Sequence, residues 1–103
     1  SIRDKIEKSG NTISRVKTTG RQDESIALAS IIQTVKIIIT KKNQQMAFIQ
    51  LEDLTGTIEA VAFPETYKTY ANILMEDKVV AIKAKVKIRE GEKTIMIDSI
   101  KEI

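Results

Sequence analysis

Basic side chains alternate with apolar ones along the segment 82–89. The basic positions, each two residues from the next, are Lys83, Lys85, Lys87 and Arg89. A β-strand places alternate side chains on one face, so these cations share a solvated face that can neutralise phosphates. Lysines on an exposed strand also guard against aggregation, but no acid lies between Lys78 and Arg89 to neutralise the strand. We expect Lys87 and Arg89, next to the following loop, to contact nucleic acid together with Lys93 beyond it.

A second basic cluster precedes another alternating segment. The cluster comprises Lys36, Lys41 and Lys42, and the segment is Met46–Glu52. Its apolar face already holds Ala47, Ile49 and Leu51, which leaves Phe48 and Gln50 on the opposite face. A phenylalanine in a strand is more often a core residue. Here the alternation predicts that Phe48 points outward, where its ring can stack on a nucleobase.

The segment Met46–Glu52 is the first half of a predicted hairpin. Asp53-Leu54-Thr55-Gly56 has the Asp and Gly of a tight turn, and a second strand follows at Thr57–Phe63. Its outward positions include Glu59, which we place beside Gln50 as a second group able to meet a base edge. Pro64 then opens a helix predicted to reach Glu76. Two helical tyrosines are predicted to pack on the core: Tyr67 and Tyr70.

Several kinds of reactive site are excluded by composition. The chain has no Cys and no His, so thiolate chemistry and a zinc site are not expected. Its acids are scattered among turns, strand ends and a helix, not grouped to hold the two metal ions of nucleotidyl transfer. No glycine-rich phosphate loop is present. We therefore predict no catalytic residue, no metal site and no cofactor for this chain.

Length and hydropathy describe the class of protein. At 103 residues, with 42% hydrophobic and 30% charged residues and a net charge of +3, the chain reads as one globular domain. No apolar run of about 18 residues and no signal-peptide pattern is found, so we expect a cytoplasmic protein without membrane contact. The absence of an initiating Met predicts a piece of a longer protein. We expect the isolated piece to be monomeric.

The chain divides into a lead-in, residues 1–24, and a strand-rich domain, residues 25–103. The lead-in is polar and carries glycine breakers, with short helical turns expected around Ile2–Ile6 and Thr12–Lys17. The domain begins with a β-branched segment, Ser25–Thr40, too long for an ordinary strand. Its alternation slips at Ile37-Ile38-Ile39, which predicts a bent strand that pairs in both halves of a small barrel.

The later segments complete the order of elements. Two strands, Lys78–Arg89 and Lys93–Ile100, follow the helix and are joined by Glu90-Gly91-Glu92. The resulting order β-β-β-α-β-β predicts an all-β OB-fold, a five-stranded Greek-key barrel with a helix between strands three and four. Such barrels commonly bind oligonucleotides on strands two and three and on the loops that join strands one to two and four to five.

A resemblance to a known family rests on residues 39–70, ITKKNQQMAFIQLEDLTGTIEAVAFPETYKTY. The segment resembles the OB domain of the alpha subunit of bacterial DNA polymerase III, the C-family replicative polymerase. The matching motifs are Thr40-Lys41-Lys42, Met46-Ala47-Phe48, Leu51-Glu52-Asp53, Thr55-Gly56-Thr57-Ile58-Glu59 and Phe63-Pro64 with Tyr67. Ala60 and Ala62 depart from the family, which often has bulkier aliphatic residues there.

The resemblance implies a non-catalytic part of a DNA-directed DNA polymerase that contacts the single-stranded template near the polymerase site. It also implies contacts with the rest of the alpha subunit and with other replisome subunits. Two alternatives stay open. An anticodon-binding OB domain of a class II aminoacyl-tRNA synthetase would use Phe48 with Gln50 and Glu59 as base readers. A protein-interaction OB-fold would instead bind its partner through an apolar patch.

Overall fold

The computed structural model describes residues 12–103. These residues form two short helices and five strands, named here in chain order. They are α1 (Ile13–Thr19), β1 (Ser25–Ile39), β2 (Gln45–Asp53), β3 (Gly56–Ala62), α2 (Pro64–Tyr70), β4 (Val79–Arg89) and β5 (Glu92–Glu102). The predicted helical turn around Ile2–Ile6 lies outside the described residues. Within residues 12–103, no helix is both long enough and apolar enough to span a membrane.

The five strands close into a barrel in the order β1-β2-β3-β5-β4, which confirms the predicted OB-fold. All neighbours are antiparallel except β3 and β5, which run parallel and pair at Ala60–Ile95 and Val61–Met96. β1 serves two neighbours: its residues 25–31 pair with β4 and its residues 31–39 pair with β2. A bent first strand is what the sequence predicts.

The position of the bend differs from the prediction. The register of β1 against β2 shifts between Ile32 and Thr34, not at Ile37-Ile38-Ile39. The apolar run instead forms the far end of the strand, where Ile37 is 48% and Ile39 66% exposed. Apolar residues at this end continue past the core, so their broken alternation does not mark the bend.

The core fills the barrel with aliphatic side chains from every strand. Ala47, Ile49 and Leu51 of β2 are fully buried, as their alternation predicts. Ala60 and Ala62 of β3 are also fully buried, so the two small residues face the interior. Tyr67 and Tyr70 of α2 are half-buried and pack against this core, as predicted.

Helix α1 closes one end of the barrel. Ile13 and Val16 are 0% and 2% exposed and belong to the same core cluster as the strands. The chain then turns at Gly20, where an added Cβ would lie 2.4 Å from the carbonyl oxygen of Val16. A side chain there would displace the end of the helix. The lead-in thus supplies core residues to the barrel.

Asp53, at the end of β2, joins this helix to the β2–β3 turn. Its Oδ1 accepts hydrogen bonds from Thr55 N at 2.7 Å, Thr55 Oγ1 at 2.6 Å and Gly56 N at 3.2 Å. Its Oδ2 accepts from Ile13 N at 2.8 Å. The side chain of Asp53, 8% exposed, therefore satisfies backbone donors of two separate elements.

Helix α2 is shorter than predicted. Pro64 occupies its first turn, as expected, but the helix ends at Tyr70, not at Glu76. The chain continues in turns whose amides still bond back, with Leu74 N donating to Tyr70 O at 3.1 Å. Leu74 is thereby brought into the core at 5% exposure. Consecutive turns reproduce the apolar spacing of a helix, so the periodicity overstated its length.

Candidate nucleic-acid interface

The outer face of β2 carries Phe48 between two neighbours of different character. The residue opposite it on β1 is Lys36, which is exposed, and the residue opposite it on β3 is Val61. Phe48 and Val61 are half-buried, while the flanking Ala47 and Ile49 are fully buried on the inner face. The ring of Phe48 therefore lies on the outer side of the sheet with a cation one strand away, about 4.8 Å along the sheet.

Gln50 and Glu59 form the next outward pair on the same two strands. They lie directly opposite each other, with Glu59 exposed and Gln50 half-buried. Both line a cleft of about 460 Å³ that extends to Lys93 on β5 and to Lys17 on α1. Lys17 Nζ donates to the carbonyl oxygen of Thr57 at 3.1 Å. Glu92 lines the cleft as well, so the cleft combines an amide and two carboxylates with two cations.

The loop between β1 and β2 holds Lys41 and Lys42 at its tip. Thr40 closes this loop: its N donates to Gln44 O at 2.8 Å, and its carbonyl oxygen accepts from Asn43 N at 2.9 Å. Asn43 has a φ of 62°, a left-handed conformation that Asn tolerates well. Both lysines are exposed, and neither forms an ion pair with another residue of the range 12–103. A tight loop therefore presents two cations that no acidic side chain of the described range neutralises by an ion pair.

The loop between β4 and β5 is a two-residue turn. Glu90 and Gly91 both have positive φ, at 53° and 81°, as in the hairpin turns that suit the strand twist. Arg89 and Glu92 are paired across this turn, so an acid lies beside the arginine. The sequence of β4 contains no acid, so this partner of Arg89 was not expected: Glu92 belongs to β5.

Lys87 also has an acidic neighbour that lies far away in sequence. Its Nζ forms an ion pair with Asp23 Oδ1, and Asp23 N donates to Val86 O at 2.8 Å. Asp23 has a φ of 64°, which turns the chain alongside β4 just before β1 begins. Thus Lys87 is half-buried and charge-paired, whereas Lys83 and Lys85 on the same strand are exposed.

The two loops lie at opposite ends of the face that carries Phe48. The first loop leads directly into β2 at Gln45. The second loop lies near the start of β3, since Gly91 and Glu92 share a cleft with Thr57. The predicted site residues thus surround one face, with Lys36 and Phe48 central and the loop cations at its two ends.

Two features near this face were missed from the sequence. Lys17 enters the cleft because α1 packs against the barrel, which no local pattern indicates. Phe63 is 47% exposed and lines a second cleft of about 410 Å³, near the first loop, with Gln44 and Met96. The sequence placed Phe63 at the end of a strand without a role. The available signal was the neighbouring Pro64, because it ends the strand and begins α2 directly after Phe63.

The described part of the chain contains no cluster of potential metal ligands. Among residues 12–103, no three or more Asp and Glu side chains are grouped so that they could hold a metal ion. The arrangement of Phe48, the loop lysines and the Gln50–Glu59 pair is suited to binding, because it offers stacking, charge and hydrogen-bonding groups.

Comparison with curated proteins gives relatives named DNA polymerase III subunit alpha. The chain is 31% identical over 84 residues to DNA polymerase III subunit alpha of Borreliella burgdorferi. The matched region covers 81% of this chain but 7% of that relative, so the chain spans a small part of its length. This match confirms the resemblance stated from the sequence motifs.

Solved structures resemble the barrel with low sequence identity. An aspartyl-tRNA synthetase from Entamoeba histolytica gives a TM-score of 0.70 at 14% identity, covering 89% of this chain and 20% of that one. A Replication Protein A heterotrimer bound to single-stranded DNA gives 0.64 at 14% identity, covering 82% and 61%. These likenesses support the fold. The family described as OB-fold nucleic acid binding domain matches residues 26–103, and the chain belongs to it.

Proposed function

We propose that this chain is a non-catalytic single-stranded DNA-binding module of a bacterial DNA polymerase III alpha subunit. It contacts the template strand near the polymerase site through the face that carries Phe48. The parent protein would then be a cytoplasmic DNA-directed DNA polymerase. Its partners at this domain would be single-stranded DNA, the rest of the alpha subunit and other replisome subunits.

The observation that carries this proposal is the position of Phe48 directly opposite the exposed Lys36. A ring on the open face of a sheet offers a stacking surface that accepts any base. A lysine on the adjacent strand can meet the phosphate of the same nucleotide. Together they favour sequence-tolerant binding of a single strand over recognition of one base.

Charge at the first loop supports the same function. Lys41 and Lys42 are exposed at the tip of a closed turn and have no acidic partner within residues 12–103. Phosphate contacts made there would position a strand without reading its sequence. The second loop contributes less net charge, because Asp23 pairs with Lys87 and Glu92 lies opposite Arg89.

A second candidate function has one observation in its favour. Gln50 and Glu59 are direct neighbours at the edge of a cleft, and an amide beside a carboxylate can read the edge of an unstacked base. An anticodon-binding domain would use such a pair. The fold likeness to the Entamoeba histolytica aspartyl-tRNA synthetase makes this the alternative to test.

One titration separates the two functions. Fluorescence anisotropy of labelled oligo-dT, a mixed-sequence DNA of equal length and an anticodon stem-loop RNA would be measured at low and high salt. We expect similar affinities for the two DNAs, falling steeply with salt. Strong preference for one RNA trinucleotide, or the absence of DNA binding at low salt, would contradict the proposed function.

A further inference from the structure

We propose that Phe63 is a second base-stacking position on this face and that it acts together with Phe48. The inference rests on the proposed function and extends it to a residue outside the predicted site. Phe48 and Phe63 are the two phenylalanines of the chain. Phe63 is the more exposed, at 47%, whereas Phe48 is half-buried.

The strand register places both rings on one face. Phe48 pairs with Val61, and Phe63 follows Val61 by two residues in extended backbone, with φ −65° and ψ 165°. Alternation therefore keeps Phe63 on the side of Val61 and Phe48. Such diagonal positions on neighbouring strands lie about 7–8 Å apart, close enough for nucleotides of one strand to reach both rings.

The surroundings of Phe63 suit a base more than a phosphate. The cleft of about 410 Å³ is lined by Phe63, Pro64 and Met96 on its apolar side, and by Glu65 and Asp98 among its polar residues. Two carboxylates repel a phosphate, but they accept hydrogen bonds from the N–H groups of bases, including N3–H of thymine. The sulfur of Met96 adds a polarizable surface that adapts to different rings.

The neighbouring loop supplies cations, which the lining of the Phe63 cleft lacks. Gln44 lines the cleft and ends the loop whose tip holds Lys41 and Lys42. A strand whose phosphates follow these lysines can turn a base inward onto Phe63. The next bases then meet Phe48 beside Lys36. The geometry points to a path from the first loop, over Phe63, to Phe48.

The test compares two probes of about 12 nucleotides, within the site size of one OB-fold. One is oligo-dT, and the other carries abasic sites throughout, so that phosphates remain and bases are absent. Phe63→Ala should weaken oligo-dT binding about fivefold to a hundredfold and leave binding of the abasic probe unchanged. Phe63→Leu should behave like Phe63→Ala, and Phe63→Tyr should bind like wild type. Met75→Ala, at a position 53% exposed beyond α2, is the matched control.

Each outcome has a defined meaning. Equal weakening on both probes would overturn the stacking role, because the change would then act on phosphate contacts or on the fold. Normal oligo-dT binding by Phe63→Ala and Phe63→Leu, alongside weakened binding by Phe48→Ala, would overturn this inference and leave the proposed function intact. A wild-type protein that fails to bind oligo-dT at low salt would overturn both.

Discussion

Asp53 and Ile13 are 40 residues apart in sequence, yet the Asp53 carboxylate accepts a hydrogen bond from the Ile13 amide at 2.8 Å. The same carboxylate holds the turn between β2 and β3 through Thr55 and Gly56. One buried side chain therefore fixes both the helix that closes the barrel and the hairpin that carries Phe48.

Asp53→Ala should lower the free energy of unfolding by about 2–4 kcal/mol, because buried donors at Ile13 and the turn lose their acceptor. Urea unfolding measures the change. Asp53→Asn should lower the free energy of unfolding by less, since its amide oxygen still accepts a hydrogen bond. Glu76→Ala, at an exposed position, serves as the control. A cost below about 0.5 kcal/mol for Asp53→Ala would place it among ordinary surface changes and show that this junction does not stabilise the fold.

Phe48→Ala should weaken single-stranded DNA binding about tenfold or more, through loss of a stacking surface. Because the ring is half-buried, we expect the free energy of unfolding to fall by only about 1–2 kcal/mol. A thermal melt and a binding titration on the same samples check both numbers. Loss of about 3–5 kcal/mol, typical of a buried phenylalanine, would identify Phe48 as a core residue.

Lys41→Ala and Lys42→Ala should each lower the slope of log affinity against log salt by about 0.7, the value for one phosphate contact of a single strand. Binding to different sequences should weaken to a similar extent, because phosphate contacts carry no base information. Titrations at several salt concentrations measure the slope. An unchanged slope in the double variant would show that this loop does not contact phosphate.

Lys87→Ala should change affinity by less than about twofold, because the nearby Asp23 carboxylate already offsets its charge. Asp23→Asn should instead strengthen binding, since it frees Lys87; Asn also tolerates the left-handed backbone at this position. The two variants are compared with Lys42→Ala in the same salt titration. If Lys87→Ala weakened binding as much as Lys42→Ala, the ion pair would have to open when DNA binds.

Glu59→Gln distinguishes the two candidate functions. On a phosphate-tracking face, removing this exposed charge should strengthen binding of all single strands by about twofold to fivefold. In an anticodon-binding site, the same change should weaken binding of one preferred base, because a hydrogen-bond acceptor for its amino group is altered. Affinities for the four homopolymers would separate these results.

The order of elements could be predicted from the sequence because its signals are local. Asp53 and Gly56 mark the hairpin turn, Pro64 marks the start of α2, and alternation identifies the buried faces of β2 and β3. The bend in β1 was misplaced because the apolar run Ile37–Ile39 looks like a slip but ends outside the core. Local patterns identify faces, but they do not show where a barrel ends.

The electrostatics of the site required the three-dimensional structure. Asp23 reaches Lys87 across 64 residues, and Lys17 enters the cleft of Glu59 from another element. The sequence predicted which side chains are cationic, but not which of them lack an ion-pair partner among residues 12–103. That difference raises Lys41 and Lys42 above Lys87 and Arg89 as candidates for phosphate contact.

The parallel pairing of β3 with β5 has a consequence for the folding order. The β2–β3 and β4–β5 hairpins close short loops. Ala60 and Ile95, by contrast, are separated in sequence by helix α2 and strand β4. Contacts of long sequence separation form slowly, because loop-closure entropy must be overcome first. We expect both hairpins to form early, the seam at Val61–Met96 to close later, and the pairing of β1 with β4, which joins residues still farther apart in sequence, to close last. Met96 of β5 lines the cleft of Phe63, so the face that carries Phe48 and Phe63 becomes complete only when β5 joins β3.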